Sequence, residues 1–233
     1  MMNKAEREEY LKNRLVEMRI YEEELYKNGL TYIGGVDEVG RGPLAGPVCA
    51  ACVILPKDFD VLGVDDSKKI SEKKRYELYG LIVERALAYG IGLVDNHRID
   101  EINILNATKE AMLGAILAAQ NMLVSNISIA ENVSGIGANK NIKIEHLLVD
   151  AMKLPEAKIP GTAIVKGDAK SVSIAAASIL AKVVRDRLMI EMDSVYPGYA
   201  FAKNKGYGTK AHYEGLNKLG ITPIHRETFL TRR

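Results

Sequence analysis

The chain has 233 residues, 47% apolar and 27% charged, the mixture of a soluble folded protein with one large domain or one domain plus an appendage. It is long enough to bury a core without disulfides or metals as staples, and a formal net charge of +2 excludes a strongly polyionic protein. No run approaches the roughly 18 apolar residues of a membrane span, and the Met-Met-Asn-Lys-Ala-Glu-Arg start has no apolar leader core, so a cytoplasmic protein is expected.

Residues 3–28 are highly charged, with Tyr10, Leu11, Leu15, Met18, Ile20, Tyr21 and Leu25 mostly three or four apart. That spacing predicts one amphipathic helix, stopped by Asn28-Gly29 and packed on the body as an appendage, residues 1–30. Residues 31–37 and 47–55 are β-rich, and the Gly- and Pro-containing stretch between them predicts a wide turn. Cys49 and Cys52 lie in the second of these runs. With no second Cys or His pair to complete a zinc site, they read as buried structural thiols of a reducing compartment.

Asp65-Asp66-Ser67-Lys68-Lys69 is a polar loop, and Ser71 caps a helix expected to run to about Tyr89. A strand over 90–94 and a long helix over 99–123 follow. Residues 125–143 are rich in Asn, Ser, Gly and Lys and read as a loop. Strands over 144–149 and 162–166 end at or before Asp150 and Asp168, and a helix spans 172–193. The tail, 196–233, predicts one helix near 209–219 and carries seven Lys or Arg against two Glu, a net of +5. It is either a solvated basic tail or a polyanion-binding rim. The three early strands favour an antiparallel meander, with a helix-linked crossover bringing a parallel strand beside it. The expected class is α/β.

Asp37, Asp150 and Asp168 each stand at a strand end. A single such acid is more often a plain loop residue. Three in one α/β chain converge on one sheet edge, where sites of this class form. Gathered carboxylates repel and raise one another's pKa unless cations lie between them, and oxygen-only ligands suit Mg²⁺ or Mn²⁺. Two such ions, about 4 Å apart, stabilise the attacking and leaving oxygens of a phosphoryl displacement. Glu38 adjoins Asp37, and neighbouring strand residues point to opposite faces, so both reach one site only if the strand ends or bulges there.

Gly40-Arg41-Gly42 is either a plain turn or a place where backbone N–H groups meet a ligand, with Arg41 as a charged arm. Lys68 and Lys69 are either a solvated run or a phosphate contact at a helix start. Ser178, Lys182 and Arg185 share one helix face, turned to solvent or to the site. Tyr196, Tyr199, Phe201, Tyr207 and Tyr213 interleave with Lys203, Lys205 and Lys210 in the tail. Such rings can stack on bases and sugars, and about half of them are expected in a small aromatic core.

Asp-Glu-Val-Gly-Arg-Gly-Pro-Leu-Ala-Gly-Pro-Val at 37–48 resembles the opening signature of the type 2 ribonucleases H, specifically the bacterial ribonuclease HII family. The resemblance continues, in the family's order, through Asp-Asp-Ser-Lys-Lys at 65–69, Leu-Leu-Val-Asp at 147–150, Lys-Gly-Asp at 166–168, Ala-Ala-Ala-Ser-Ile-Leu-Ala-Lys-Val-Val-Arg-Asp at 175–186 and Lys-Gly-Tyr-Gly-Thr at 205–209. It implies a ribonuclease H-like fold, a mixed five-stranded sheet flanked by helices, with the catalytic domain over 31–195 and a basic C-terminal substrate-binding region over 196–233. It implies endonucleolytic cleavage of the RNA strand of RNA–DNA hybrids and incision 5′ of ribonucleotides embedded in duplex DNA, with Mn²⁺ or Mg²⁺ in a two-metal site, leaving 3′-hydroxyl and 5′-phosphate ends. The family's metal-binding acids fall on Asp37, Glu38, Asp150 and Asp168. Its Gly-Arg-Gly turn, here Gly40, Arg41 and Gly42, reads the ribose 2′-hydroxyl, and its sugar-stacking tyrosine falls on Tyr207. Lys68, Ser178 and Lys182 complete the expected substrate contacts.

Two departures from the family pattern are the 125–143 segment, expected as a surface insertion, and the N-terminal 3–28 segment. Some 30 residues cannot form the extra N-terminal domain of the sister type, ribonuclease HIII. A monomer is expected, and the alternative reading is a non-catalytic hybrid-binding module on the same fold.

Overall fold

The computed structural model describes residues 3–134 and 142–231. Among them the sheet has five strands in the order β3-β2-β1-β4-β5. These are β1 (Ile33–Val39), β2 (Val48–Ile54), β3 (Ala88–Val94), β4 (His146–Asp150) and β5 (Gly161–Ile164). The β1–β2 and β2–β3 pairs are antiparallel, and β1–β4 and β4–β5 are parallel. The meander with a crossover and the mixed five-stranded sheet are both as expected.

Helix α1 (Lys4–Met18) opens on an Asn3–Glu6 capping box, and α2 (Ile20–Lys27) follows after a break at Arg19. One continuous helix was expected over 3–28. The apolar spacing runs through the break, so periodicity does not register it. Arg19 instead reaches sideways to the carbonyls of Phe59 and Lys57. Leu15 and Met18 are buried against β2 and the loop after it, while Tyr21 and Leu25 pack near Ile33 and Ile174.

Helix α3 (Glu72–Arg85) is capped by Ser71 as expected but stops four residues early. No breaker marks the stop. Ala86 is extended, and the Leu87 N–H donates to the Ile54 carbonyl, so the sheet claims the residues that the helical pattern had included. Helix α4 (Asn96–Ser134) is kinked at Asn103 and continues through half of the segment read as a loop. The rest of that segment, 135–141, lies outside the described residues.

Over Asn96–Ile129, α4 is long and apolar enough to cross a membrane, by length and composition only. Counting uninterrupted apolar runs had missed this. Its stripe Ala107, Ala111, Ala115, Ala119 and Leu123 is nevertheless buried on the sheet, as in a core helix. A Cβ at Gly90 or Gly92 of β3 would collide with the α4 backbone, so small residues on both sides set this close approach.

Helix α5 (Val172–Val195) covers the opposite face together with α3 and α1. A Cβ on Gly35 would collide with the Ser173 main chain. Cys49 and Cys52 are free and buried, the first in the α5-side cluster and the second in the α4-side cluster. Burial pushes both thiols up to about 12, which suits the structural role expected of them.

The C-terminal region holds α6 (Phe201–Asn204), α7 (Lys210–Leu219) and α8 (Glu227–Leu230). Tyr199 and Phe201 stack at 5.3 Å in a small core with His212 and His225. Tyr207 stays exposed.

Candidate active site

Strand β1 does not end at Asp37, nor does it bulge. Its pairing with β2 stays in register through Val39↔Cys49. Its parallel pairing with β4 stops at Val36↔Val149, so Asp37 and Asp150 both lie just past the last paired level. The pleat then separates the two adjacent acids. Val36 belongs to the α4-side cluster and Val39 to the α5-side cluster, so Asp37 turns toward α5 and Glu38 toward α4. The two side chains therefore leave β1 on opposite faces, beyond the level where β4 pairs with it.

Asp37 is buried, and its Oδ1 accepts the Glu38 N–H at 2.8 Å. Ser178 acts to lower its pKa, and Ser178 Oγ lies 2.9 Å from Ser67 Oγ. Glu38 is held by Arg41 at 3.5 Å. Asp150 Oδ1 accepts the Gly167 N–H at 2.6 Å, which ties the end of β4 to the turn after β5. That turn, Gly167–Ala169, carries the buried Asp168 and follows Lys166 in a left-handed conformation. Lys68 Nζ stands 3.9 Å from Asp168 Oδ2.

The electrostatics link these groups. Burial, then the charges of Glu38 and Asp150, push Asp37 well above the usual carboxylate range. Burial and Asp150 raise Glu38 against the pull of Arg41. Burial, Asp66 and Asp150 raise Asp168. Burial works against the charge on Lys68, but Asp168, Asp66, Asp37 and Asp150 outweigh it and hold its pKa up. Each acid therefore senses Asp150, and Lys68 senses three of the four.

Among the described residues, no three His, Cys, Asp or Glu side chains stand in a ready cage for one ion. The donor chemistry still fits hard divalent cations. It offers carboxylate oxygens alone, and their mutual repulsion falls when positive charge enters.

The glycine turn is held from beneath. Gly40 has φ +93°, and a Cβ there would run into the Arg185 side chain. Two fully buried arginines spend their donors on main-chain carbonyls around this loop. Arg226 donates to Gly40 at 2.6 Å, to Arg41 at 3.0 Å and to Gly46 at 2.8 Å. Arg185 donates to Pro47, Lys205 and Ala45. Leu44 N–H donates to the Gly206 carbonyl at 2.8 Å, which brings Tyr207 over the turn. A Cβ on Gly42 would lie 3.6 Å from the Tyr207 ring.

The α5 stripe thus faces inward. Ser178 reaches Asp37, half-buried Lys182 pairs with Asp186 at 2.7 Å, and Arg185 props the turn. Sequence reasoning missed Asp66, Ser67 and Arg226. The acidic pair and serine of 65–67 were visible as a polar loop, but no periodicity aims that loop at Asp168. Nothing local marks Arg226 as buried.

The family model described as Ribonuclease HII matches residues 34–232. The chain is 53% identical over 219 residues to the ribonuclease HII of Caldanaerobacter subterraneus subsp. tengcongensis, covering 94% of this chain and 82% of that one. Among solved structures, it resembles the ribonuclease H2 of Pyrococcus horikoshii OT3 with TM-score 0.62 at 25% identity, over 84% of this chain and 93% of that one. It also shares its fold with the ribonuclease HII of the PCNA:RNase HII complex of Archaeoglobus fulgidus, TM-score 0.64 at 24% identity, over 86% and 95%. The matched family model and the 53% identity over nearly all of the chain make it a member of the ribonuclease HII family, metal-dependent endoribonucleases acting on RNA–DNA hybrids.

Proposed function

We infer that Asp37, Glu38, Asp150 and Asp168 hold divalent cations, Mn²⁺ or Mg²⁺, in a two-metal site. We further infer that the enzyme cleaves the RNA strand of hybrids and incises 5′ of ribonucleotides embedded in duplex DNA. The observation that carries this reading is the placement of the acids: Asp37, Glu38 and Asp150 lie past the last paired level of β1 and β4, and Asp150 Oδ1 accepts the N–H of Gly167, which adjoins Asp168. Cations held there supply charge that activates water and neutralises the leaving oxygen.

The chain's own residues do the rest. Lys68 neutralises substrate phosphate beside Asp168, and Ser178 and Lys182, on α5, complete the substrate contacts. Arg226 holds the Gly40 and Arg41 carbonyls and so fixes the turn whose N–H groups, at Gly40, Arg41 and Gly42, would meet a ribose 2′-hydroxyl. Tyr207 packs on the sugar across from Gly42. Cleavage of the P–O3′ bond by water leaves a 3′-hydroxyl and a 5′-phosphate. Residues 31–195 carry the chemistry and 196–233 hold the substrate. Two reduced, buried thiols suit a cytoplasmic protein, and we read it as a monomer.

Asp37→Asn and Asp150→Asn test the assignment. Both should abolish cleavage while leaving substrate binding measurable, and turnover retained in both would remove these acids from the chemistry.

A further inference from the structure

The N-terminal helices are additional to the motifs that mark the family, which the matched family model enters only at residue 34. Two of their side chains nevertheless end on the segments that flank Asp168.

Arg14 of α1 forks onto Asp65, Nε to Oδ2 at 2.9 Å and Nη2 to Oδ1 at 3.1 Å. The same Nη2 donates to the Ala169 carbonyl at 2.7 Å. One guanidinium therefore joins the loop that bears Asp66 and Lys68 to the turn that bears Asp168. The link is short on both sides. Asp65 Oδ1 accepts the Asp66 N–H at 2.8 Å, Asp66 Oδ1 accepts the Lys68 N–H at 2.9 Å, and Ala169 adjoins Asp168.

Glu22 of α2 holds the other end of the same turn. Its Oε1 accepts from Ser171 Oγ at 2.5 Å, Ser173 Oγ at 2.6 Å and Ser173 N–H at 3.0 Å. Glu22 is only 2% exposed, and among the described residues its Oε2 is a buried oxygen without a hydrogen-bond partner. Such burial is costly. At the start of α5 the Ser171 hydroxyl accepts the Ile174 N–H and Glu22 accepts the Ser173 N–H, so Glu22 completes the cap as well. Beyond capping, Glu22 fixes the side chains of Ser171 and Ser173, three and five residues beyond Asp168.

We propose that Arg14 and Glu22 are positioning residues of the acidic site, which make the N-terminal helices a brace setting where Asp168 and the 65–68 loop stand. This rests on the reading of Asp168 as a metal ligand. Direct partners of ligating carboxylates typically change metal affinity by about 10–100-fold when removed, and Arg14 and Glu22 act one step further out, so an effect at the lower end is expected.

The test uses the full chain, without substrate, and titrates Mn²⁺ alone by calorimetry, alongside thermal unfolding. Asp168→Asn is the control. Arg14→Ala, Glu22→Ala and Asp65→Asn should each weaken Mn²⁺ binding about tenfold. Glu22→Gln keeps an acceptor oxygen and should bind within about threefold of the native chain, and Arg14→Lys, without the fork, should fall with Arg14→Ala. Asp65→Asn, a loop change, keeps the Arg14 arm readable if an alanine variant fails to fold. If Asp168→Asn loses Mn²⁺ affinity while Arg14→Ala and Asp65→Asn keep it, the brace is overturned and the metal reading stands. If Asp168→Asn keeps full affinity, the metal reading fails and the brace proposal falls with it.

Discussion

Arg226 donates through Nη2 to the Gly40 carbonyl at 2.6 Å, across 186 positions of the chain. The contact makes the glycine turn depend on the C-terminal region for its shape. Arg226→Lys keeps a positive charge but not the fork that reaches Gly40, Arg41 and Gly46 together. It should destabilise the fold by about 2–4 kcal/mol, since buried carbonyls lose their partners. At about 3 °C per kcal/mol, the melting temperature should drop by roughly 6–12 °C. Thermal unfolding checks this figure, and kcat/KM measured where the variant is folded should also fall, because the glycine turn loses its support. An unchanged melting temperature would remove Arg226 from the support of the turn.

Gly40 and Gly42 should respond differently to alanine. Gly40 sits at φ +93° with Arg185 in the path of a Cβ, so Gly40→Ala should cost about 1–3 kcal/mol in backbone strain, with the clash in addition. Gly42 carries no such constraint, and its added methyl would meet only the Tyr207 ring at an ordinary distance. Gly42→Ala should therefore melt within about 0.5 kcal/mol of the native enzyme yet cleave poorly, because its methyl fills the space where a sugar would approach. Native-like cleavage by Gly42→Ala would count against close approach of substrate at this turn.

Glu22 gives a pH dependence with a definite sign. Burial raises its pKa above the usual glutamate range, with Ser171 and Ser173 opposing. The folded chain then binds this proton more tightly than the unfolded chain. Stability is lost as pH rises from the unfolded pKa through the folded one. Glu22→Gln cannot ionise, so its stability relative to the native chain should grow across that window and level off above it. Urea unfolding of both proteins between about pH 4 and 8 measures the difference. A difference independent of pH would mean that Glu22 titrates alike in both states.

Much of this architecture was legible in the sequence because it is local. Asp150 closes an apolar run, Asp168 precedes a capped helix, and the glycines around Arg41 announce a turn. Less legible were features decided at a distance. The sheet took Ala88 and Tyr89 from a helical pattern because β2 offered them pairing. Helix α4 continued past Val124 through residues whose composition reads as a loop. At the adjacent acids Asp37 and Glu38 the strand shows no bulge. Pairing lost on one edge of β1 and kept on the other opens the sheet end to both, and no single-strand pattern records this. Arg226 and Arg14 look like ordinary surface cations until the carbonyls they reach are known.

The most direct measurement uses a DNA duplex carrying one embedded ribonucleotide, with the products mapped to the nucleotide. With Mg²⁺ or Mn²⁺ the enzyme should incise once, on the 5′ side of the ribonucleotide, leaving a 3′-hydroxyl and a 5′-phosphate, and EDTA should stop the reaction. No incision with either metal, or incision on the 3′ side, would contradict the account of acids that hold cations beside a turn that reads the 2′-hydroxyl.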